Sequence, residues 1–398
     1  MDSAVTDEMG GLPTIAILHT HFAPYHIDRI EAAAERLHGR ARVIGVECAG
    51  AERTYDWEAK RATSHAEYRT LFPDRVYDDI GRLERLTAYA GALRHCALVL
   101  SGIPWSEPDI VALSWRRRAK GRQIVAMTCS KFDDKPRNLM REQVKARLLA
   151  GFSAALVAGP RQRDYLRFLG FDDKAILPGY NTLSMDRIRG LAPSGSPAWN
   201  DRAFTYVGRL VPKKNLATLI EGYRRYVAQT GDGARRLVMV GDGPQRMELE
   251  QFVRDQGLAG HVEFAGQRDS AGVAAQLSRA LALCLVSTEE QWGNVVNEAV
   301  ALGIPAIVST NVGARDALVR GGATGHVVEA SSPGSIARAM VATASDETAW
   351  NALSAASGER AWLADCDRFA DAVELLFDPL AGQAAANVEQ FWDLCEQE

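Results

Sequence analysis

The stretch that decides the fold, residues 281–298, reads Leu-Ala-Leu-Cys-Leu-Val-Ser-Thr-Glu-Glu-Gln-Trp-Gly-Asn-Val-Val-Asn-Glu. Its first six residues are apolar and predict a buried strand. The apolar residues 299–302 that follow predict a helix, and Asn294 is suited to cap its start. A buried strand that leads through a short turn into a helix is typical of an α/β protein with a parallel sheet.

Two carboxylates flank this predicted helix start. Glu290 lies in the turn, and Glu298 lies eight residues later, inside the helix by roughly 6 Å. Between them, Gly293 lets a ligand approach the backbone, and the N–H groups of Val295 and Val296 favour an anion. The pattern suits a nucleotide sugar, with the hexose near Glu290 and the ribose near Glu298. The alternative is that both carboxylates are solvated surface groups.

The same alternation continues along the chain and predicts an α/β fold with two doubly wound, Rossmann-like domains. Strands that are apolar throughout belong to parallel sheets covered on both faces. The predicted strands are residues 14–18, 42–46, 97–100, 124–127, 154–157 and 175–177 in the first half, and 203–207, 237–240, 261–264, 281–286, 304–308 and 325–328 in the second. Two such domains that face each other would form a binding cleft.

A turn-rich break at residues 192–197 marks the predicted domain boundary. We expect an acceptor-binding domain over residues 1–195 and a nucleotide-sugar-binding domain over residues 196–370. The final segment, residues 371–398, is predicted to be helical and to pack back on the first domain.

Glycines and basic residues follow the predicted strands of the second half. Gly208 and Arg209 come directly after one strand, and Lys214 precedes the next helix. These cations suit a diphosphate, because arginine can fork two oxygens and lysine acts as a point charge. Gly266 and Gln267 end another strand, where a nucleotide base could lie against the backbone. The alternative for the cations is an exposed basic turn.

These motifs resemble the nucleotide-sugar half of family 4 retaining glycosyltransferases, which belong to glycosyl transferases group 1 and have the GT-B fold. The resemblance covers residues 203–330. The motifs that carry it are Gly208-Arg209-Leu210 with Lys214, Gly241-Asp242-Gly243-Pro244, Phe264-Ala265-Gly266, Glu290 through Glu298, and Gly303-Ile304-Pro305.

The resemblance implies a role for each matching residue. Arg209 and Lys214 would bind the diphosphate and stabilise the charge that develops on it, and Glu290 would contact the donor hexose. These three are the predicted catalytic residues. The predicted donor-binding residues are Gly208, Gly266, Gln267, Gly293, Asn294, Val295 and Glu298. Transfer would proceed by front-side attack with retained anomeric configuration, without metal or cofactor.

The chain departs from the family pattern near this site. Gln291-Trp292-Gly293 stands where Gly-Phe-Gly is frequent, and Asp316 stands where Glu is frequent. Asn215 occupies a position where Gly is frequent, but Asn tolerates left-handed backbone angles, so the turn is expected to persist.

The first half carries weaker signals, and we expect it to bind the acceptor. His21 follows the first predicted strand, and Ser130 follows the fourth, where family members carry a histidine. The acceptor-side candidates are His21, Ser130, Asp133, Asp134 and Arg137. The alternative for the two aspartates is that they cap the following helix.

Composition favours a soluble globular protein. Of the 398 residues, 47% are hydrophobic and 24% charged, and no apolar run approaches the roughly 20 residues of a membrane helix. The acidic N-terminus lacks a signal-peptide pattern, and the six cysteines form no C-x-x-C pair. We therefore expect a reducing, cytoplasmic location.

Positive charge is concentrated in the first half. Residues 1–200 carry 29 basic and 24 acidic residues, a net charge of +5, whereas residues 201–398 carry 17 and 26, a net charge of −9. The basic segment 115–122 is either a solvated helix end or a peripheral contact with the inner face of a membrane. No nucleic acid partner is expected.

The predicted function is transfer of a hexose from a UDP-sugar to a hydroxyl of a glycan, a glycolipid or a small metabolite. One alternative is a sugar epimerase or phosphorylase with the same fold. The other is a nucleotide-sugar sensor without catalysis.

Overall fold

The computed structural model describes residues 11–53, 64–195 and 197–396, which form two compact units. The first unit contains the described part of Met1–Ser184 together with Asp365–Glu396, and the second contains that of Met185–Ala364. Ser196, in the predicted boundary segment, lies outside the described residues.

The first unit is built on a parallel sheet. Its strands are β1 (Thr14–His19), β2 (Arg42–Ala51), β3 (Glu67–Val76), β4 (Leu98–Ser101), β5 (Gln123–Thr128), β6 (Ala154–Val157) and β7 (Ile176–Leu177). Its helices are α1 (Pro24–Arg36), α2 (Arg82–Ala92), α3 (Pro108–Arg118), α4 (Leu139–Leu149), α5 (Pro160–Phe168), α15 (Asp367–Phe377) and α16 (Gly382–Glu396). The strand order is β3-β2-β1-β4-β5-β6-β7, and β4 and β6 are buried along their whole length.

Sequence reasoning missed β3. Most of its residues are exposed or half-buried, and Pro73 lies within it. The strand is at the edge of the sheet, where it has a neighbour on one side only. An edge strand needs no continuous apolar run and tolerates proline, because one side of its backbone faces away from the ladder.

Helix α15 belongs to the first unit and packs on α1. Arg36 of α1 forms ion pairs with the buried Asp371 and, at 3.3 Å, with Glu374. Arg368 also pairs with Asp371, at 3.0 Å. A buried carboxylate held by two guanidinium groups is compensated, so this contact can persist inside the unit.

The second unit contains another parallel sheet. Its strands are β8 (Ala203–Val207), β9 (Leu237–Val240), β10 (Val262–Gly266), β11 (Ala280–Leu285), β12 (Ala306–Ser309) and β13 (Gly325–Val328). Its helices are α6 (Met185–Leu191), α7 (Leu216–Thr230), α8 (Arg246–Asp255), α9 (Ser270–Ser278), α10 (Asn294–Ala301), α11 (Arg315–Leu318), α12 (Pro333–Ala344), α13 (Glu347–Glu359) and α14 (Ala361–Ala364). The strand order is β10-β9-β8-β11-β12-β13.

The predicted class, α/β with two doubly wound Rossmann-like domains, is confirmed. In each sheet the order reverses beside the first strand, between β1 and β4 and between β8 and β11. The loops after these strands diverge, which leaves a crevice beyond the strand ends where ligands of such sheets bind. None of the described helices has the length and apolar character needed to cross a bilayer.

Candidate active site

Backbone hydrogen bonds join the loops that follow β8, β9 and β10. The N–H of Gly208 donates to the carbonyl oxygen of Val240 at 3.0 Å, and the N–H of Gly241 donates to that of Gly266 at 2.8 Å. A Cβ added at Gly241 would lie 1.9 Å from the carbonyl oxygen of Gly208, and its φ is +133°. Only glycine fits this approach, so the motif glycines bring three strand ends into one surface.

Asn215 fixes the turn that presents Lys214. Its φ of 60° is left-handed, as expected from the sequence, and it is the single described non-glycine residue with positive φ. Its side-chain amide donates to the carbonyl oxygens of Val286 at 3.0 Å and Ala330 at 2.7 Å. The N–H of Thr288 donates to the carbonyl oxygen of Lys213 at 2.9 Å. The turn after β8 is therefore tied to the end of β11, across the switch point.

Lys214 and Glu290 meet at this crevice. The ammonium of Lys214 forms an ion pair with Glu290 Oε2, and the two side chains are 14% and 15% exposed. Ser287 Oγ donates to the same oxygen at 3.3 Å, and the N–H of Gly313 donates to the carbonyl oxygen of Glu290 at 3.2 Å. A cation and a carboxylate from opposite sides of the switch point, the Lys214–Glu290 pair, are thus held together and remain reachable from solvent.

Tyr206 connects Arg209 to this pair. Its hydroxyl donates to the carbonyl oxygen of Arg209 at 2.8 Å, and a Cβ at Gly208 would lie 2.8 Å from that hydroxyl. Burial raises the pKa of Tyr206, the nearby Glu290 carboxylate raises it further, and Arg209 lowers it. Both charged groups therefore lie within electrostatic reach of this phenol. Sequence reasoning missed Tyr206 because it looked like another apolar strand residue.

The start of α10 differs in detail from the prediction. The cap is Gly293, with φ 103°, and Asn294 is the first helical residue. The N–H of Val296 donates to the carbonyl oxygen of Gly293 at 2.9 Å, so the expectation that this amide faces an anion was wrong. A glycine in the left-handed region closes the turn one residue earlier than an Asn cap would. The amides of Asn294 and Val295 are the first-turn groups that precede the intrahelical ladder.

Trp292 anchors the turn between Glu290 and α10. Its indole N–H donates to Asn297 Oδ1 at 2.8 Å, and both side chains are buried. The N–H of Ala314 donates to the carbonyl oxygen of Trp292 at 3.0 Å. The phenylalanine frequent at this position could not make the side-chain hydrogen bond. The sequence feature that could have indicated this hydrogen bond is Asn297, a polar residue on an otherwise apolar helix face.

The remaining donor-side predictions lie along the same edge of the sheet. Glu298 is half-buried, in α10 beyond its first turn. Gly266 ends β10 with a left-handed φ of 73°, and Gln267 after it is exposed. The structure thus pairs Lys214 with Glu290, places the exposed Arg209 within electrostatic reach of Tyr206, and places Gly266 and Gln267 two strands away from β8.

In the first unit, His21 is held by a buried carboxylate. Its Nδ1 lies 3.2 Å from Glu47 Oε2, and the N–H of Phe22 donates to the same oxygen at 3.0 Å. Thr70 Oγ1 donates to Glu47 Oε1 at 2.7 Å. The side chain of His21 is only partly exposed, so this network orients the ring at the end of β1.

The other acceptor-side candidates form a local network around the buried Lys131. Its ammonium lies 3.0 Å from Asp133 Oδ1 and 3.3 Å from Asp134 Oδ1. Arg137 donates to the carbonyl oxygen of Phe132 at 2.8 Å and also to that of Lys131. Ser130 lies beside this network, with its N–H donating to the hydroxyl of Thr128 at 3.1 Å.

The alternative reading of the aspartates as helix caps was wrong. Asn138 caps α4, and its side chain accepts from the N–H of Arg141 at 3.2 Å. Asp134 instead accepts from the N–H of Lys131 at 2.9 Å. Asp133 and Asp134 lie too early in the chain to reach the first turn of α4, because that helix begins at Leu139.

The described residues contain no group of three or more His, Cys, Asp or Glu placed to hold a metal ion. All six cysteines have free thiols, and Cys129 alone among them is not buried. Burial raises the pKa of Cys48 to about 11, so this thiol stays protonated at neutral pH.

Comparisons with known proteins match the second unit to one family. The family model "Glycosyl transferases group 1" matches residues 195–360. A phosphatidyl-myo-inositol mannosyltransferase of Mycobacterium leprae is 31% identical over 185 residues, 46% of each chain. N-acetyl-alpha-D-glucosaminyl L-malate synthase of Bacillus anthracis is 26% identical over 148 residues, 37% of each chain. The chain thus spans less than half the length of these curated relatives.

Solved structures extend the likeness to both units. Anabaena HepE, in a complex with UDP and glucose, superposes with a TM-score of 0.69 at 16% identity, covering 92% of this chain and 99% of that one. At this identity the likeness shows the fold alone. Residues 195–360 therefore match glycosyl transferases group 1, as the resemblance of the motifs predicted, and the two Rossmann-like units have the GT-B fold.

Proposed function

We propose that the chain transfers a hexose from a nucleotide diphosphate sugar to a hydroxyl acceptor, with retained anomeric configuration. The observation that carries this proposal is the Lys214–Glu290 pair at the switch point of the second sheet, beside the start of α10. Its cation and its carboxylate match the two parts of such a donor, the diphosphate and the sugar hydroxyls.

In the proposed complex, the diphosphate lies on the first-turn amides of Asn294 and Val295, where the helix dipole favours negative charge. Gly293 has no side chain to block this approach. We propose UDP as the nucleotide, because HepE has the same fold and forms a complex with UDP and glucose. Gly266 and Gln267 would lie against the base, and Glu298 would accept hydrogen bonds from the ribose.

In the proposed reaction, the acceptor hydroxyl attacks C1 of the hexose from the side of the leaving group. The new C1–oxygen bond forms as the bond from C1 to the phosphate oxygen breaks, and the acceptor proton passes to the departing UDP. Lys214 and Arg209 stabilise the negative charge that develops on that phosphate. Glu290, which exchanges its contact with Lys214 for the sugar, orients the hexose hydroxyls. No metal and no cofactor has a role in this proposal.

The acceptor side of the proposal rests on the first unit. The candidates are His21, Ser130, Asp133, Asp134 and Arg137. Glu47 orients the ring of His21, and the last three are held in the network around Lys131. The free thiols of the six cysteines fit a reducing, cytoplasmic location.

Incubation of the full chain with single UDP-hexoses and a panel of glycan, glycolipid and small alcohol acceptors tests this function. We expect UDP release together with a new glycoside whose anomeric configuration, read by NMR, equals that of the donor. An inverted product, or an altered sugar nucleotide without a glycoside, would overturn the proposal.

A thermal shift experiment distinguishes the sensor alternative. A bound donor stabilises the folded protein by mass action and so raises its melting temperature. At a donor concentration of a hundred times the Kd, the stabilisation is about 2.7 kcal/mol. Donor binding without product formation on any acceptor would favour a sensor.

We expect Glu290→Ala to lose turnover. The Glu290→Gln variant shows whether the charge or only the hydrogen bonding matters.

A further inference from the structure

Helix α4 turns apolar side chains away from the body of the first unit. Met140, Val144 and Leu148 are 77%, 54% and 46% exposed. Residues four apart lie one above the other on a helix, so these three side chains form one stripe, the α4 stripe. A surface helix of a globular protein normally buries its apolar stripe, so the outward direction is unusual.

The opposite face of α4 fixes this orientation. Glu142 and Leu149 are buried there. Glu142 accepts a hydrogen bond from the hydroxyl of Tyr165 at 2.6 Å and pairs with Lys145 at 2.9 Å. Rotation of α4 to bury the stripe would expose Leu149 and break these charge-assisted contacts, so the stripe is held outward.

Basic and aromatic groups frame the stripe. Arg141 and Arg147 of α4 are exposed and lie on its two sides. Trp115 of α3 is exposed, and its indole N–H donates to the carbonyl oxygen of Leu148 at 3.1 Å. The guanidinium of Arg118 lies 5.7 Å from the centre of the Trp115 ring. Residues 101–150 hold 11 basic against 5 acidic residues in a chain of net charge −4.

We propose that the α4 stripe docks on an anionic lipid surface, with α4 lying along the membrane plane. The three apolar side chains would enter the boundary between headgroups and acyl chains, and Arg141 and Arg147 would pair with lipid phosphates. Trp115 suits the interface, because its ring is apolar and its N–H is polar.

The arrangement favours lipid over a protein partner. An apolar centre with arginines on both sides is the pattern of helices that lie in anionic membrane interfaces. The sequence left the segment 115–122 open as either a solvated helix end or a membrane contact. Arg117 is buried there and donates to backbone carbonyls at 2.9 Å. Burial lowers the pKa of Arg117 to about 10, and the residue is structural. The surface that the structure offers is centred on α4 instead.

Sedimentation of the full chain with vesicles tests this inference. We expect binding to vesicles of equal phosphatidylglycerol and phosphatidylcholine at least about tenfold tighter than to phosphatidylcholine alone, and weaker binding at high salt. Met140→Asp should lower the affinity about tenfold or more. Its matched control is Met247→Asp on α8, an equally exposed methionine in the second unit, 82% exposed, which should bind as the wild type does. Arg141→Gln and Arg147→Gln should each lower it roughly fivefold.

Three results would overturn the inference. They are equal binding to both vesicle types, equal binding of the Met140→Asp and Met247→Asp variants, and no vesicle binding by the wild type. In the last case, light scattering would show whether the wild type is a dimer. A dimer that Met140→Asp converts to monomers would identify a second copy of the chain as the partner of the α4 stripe. Circular dichroism confirms that each variant is folded. The vesicles contain neither donor nor acceptor, so the outcome is independent of the proposed sugar transfer.

Discussion

The two sheets share one topology but fill their switch points differently. In the second unit, the crevice between β8 and β11 holds the Lys214–Glu290 pair, with both charges partly exposed. In the first unit, the crevice between β1 and β4 holds two histidine rings of the chain itself. The rings of His19 and His26 stack with centroids 3.8 Å apart, and a Cβ at Gly102 would lie 2.4 Å from the His19 ring.

Burial lowers the pKa of both histidines, so the rings are neutral at pH 7 and pack as uncharged groups. One switch point is therefore occupied by packing and the other presents charge at its surface. The topology of the sheet determines where the crevice lies, but the side chains at the strand ends determine whether it can bind a charged ligand.

The largest expected effect concerns the charge of the second crevice. We expect Lys214→Ala to reduce turnover by about 10²- to 10³-fold, or about 2.7–4 kcal/mol, because it removes a cation from the departing phosphate. Arg209→Ala should act in the same range. Lys213→Ala, at the exposed neighbouring lysine, is the matched control and should retain wild-type turnover. Steady-state kinetics measures all three, and unchanged turnover in both Arg209 and Lys214 variants would refute the diphosphate role.

The next effect concerns the glycines that let the loops after β8, β9 and β10 approach each other closely. Gly241→Ala should destabilise the second unit by about 2–4 kcal/mol, because its Cβ meets a backbone oxygen and its φ is unfavourable for alanine. Gly260→Ala is the control, since nothing lies within 4 Å of its Cβ position, and should change stability by at most about 0.5 kcal/mol. Urea unfolding measures both. Equal midpoints would show that these loops relax freely.

A smaller effect is expected at Trp292, which anchors the turn that carries Glu290. Trp292→Phe removes the donor to the buried Asn297 and should cost about 1–3 kcal/mol of stability. It should also raise the KM for the donor, because the turn carries Glu290. Trp115→Phe, at an exposed indole, is the control and should change stability by less than about 0.5 kcal/mol. A Trp292→Phe variant as stable as the control would mean that the hydrogen bond does not hold the turn.

The smallest effect tests whether the first unit uses its carboxylates for structure. Burial alone would raise the pKa of Asp133, but its contacts with Lys131 and Arg161 outweigh this and hold the pKa below its usual value. Such a group stabilises the fold above its unfolded pKa, and that stability is lost as pH falls through the folded pKa. Because the side chain is 50% exposed, we expect Asp133→Asn to cost less than about 1 kcal/mol at pH 7.

The difference between Asp133→Asn and the wild type should shrink below about pH 4, where the carboxyl group protonates. Thermal unfolding at pH 7 and pH 3 measures it, with the exposed Asp164→Asn as control. A stability difference that is the same at both pH values would contradict the structural ion pair. A raised KM for the acceptor without any loss of stability would instead assign Asp133 to acceptor binding.

The second unit could be predicted in detail because its chemistry is local in sequence. Gly208 and Lys214 lie in one turn, and Glu290 and Gly293 in another, so their spacing carries the geometry. The strand Ala203–Val207 has the predicted bounds, since a continuous apolar run marks a buried strand. The cap of α10 was misplaced by one residue, at Asn294, because backbone angles and not composition set the cap. The strand β12 begins two residues later than predicted, and β10 ends two residues later.

The first unit was harder to predict because its polar contacts join distant segments. Glu47 contacts both His21 and Thr70, and these three residues lie in different segments of the chain. No spacing in the sequence indicates that they meet. The edge strand β3 lacks an apolar run, and the stripe on α4 has the same composition as a core stripe. Its direction depends on Glu142 and Tyr165, which are 23 residues apart.

The sequence by itself determined the α/β class, the family resemblance of the second unit and the turns that carry Lys214 and Glu290, because apolar periodicity and glycine-rich turns act over a few neighbouring residues. Only the tertiary structure decided that Lys214 meets Glu290, that Gly293 closes the helix, and that the first crevice is filled by His19. Gly293 closes the helix through its own backbone angles, whereas the other two are contacts between residues far apart in the chain. Both contacts form because parallel strands bring their carboxyl ends to one edge of the sheet. Burial and hydrogen bonding then determine which of the side chains at that edge pack or pair with each other.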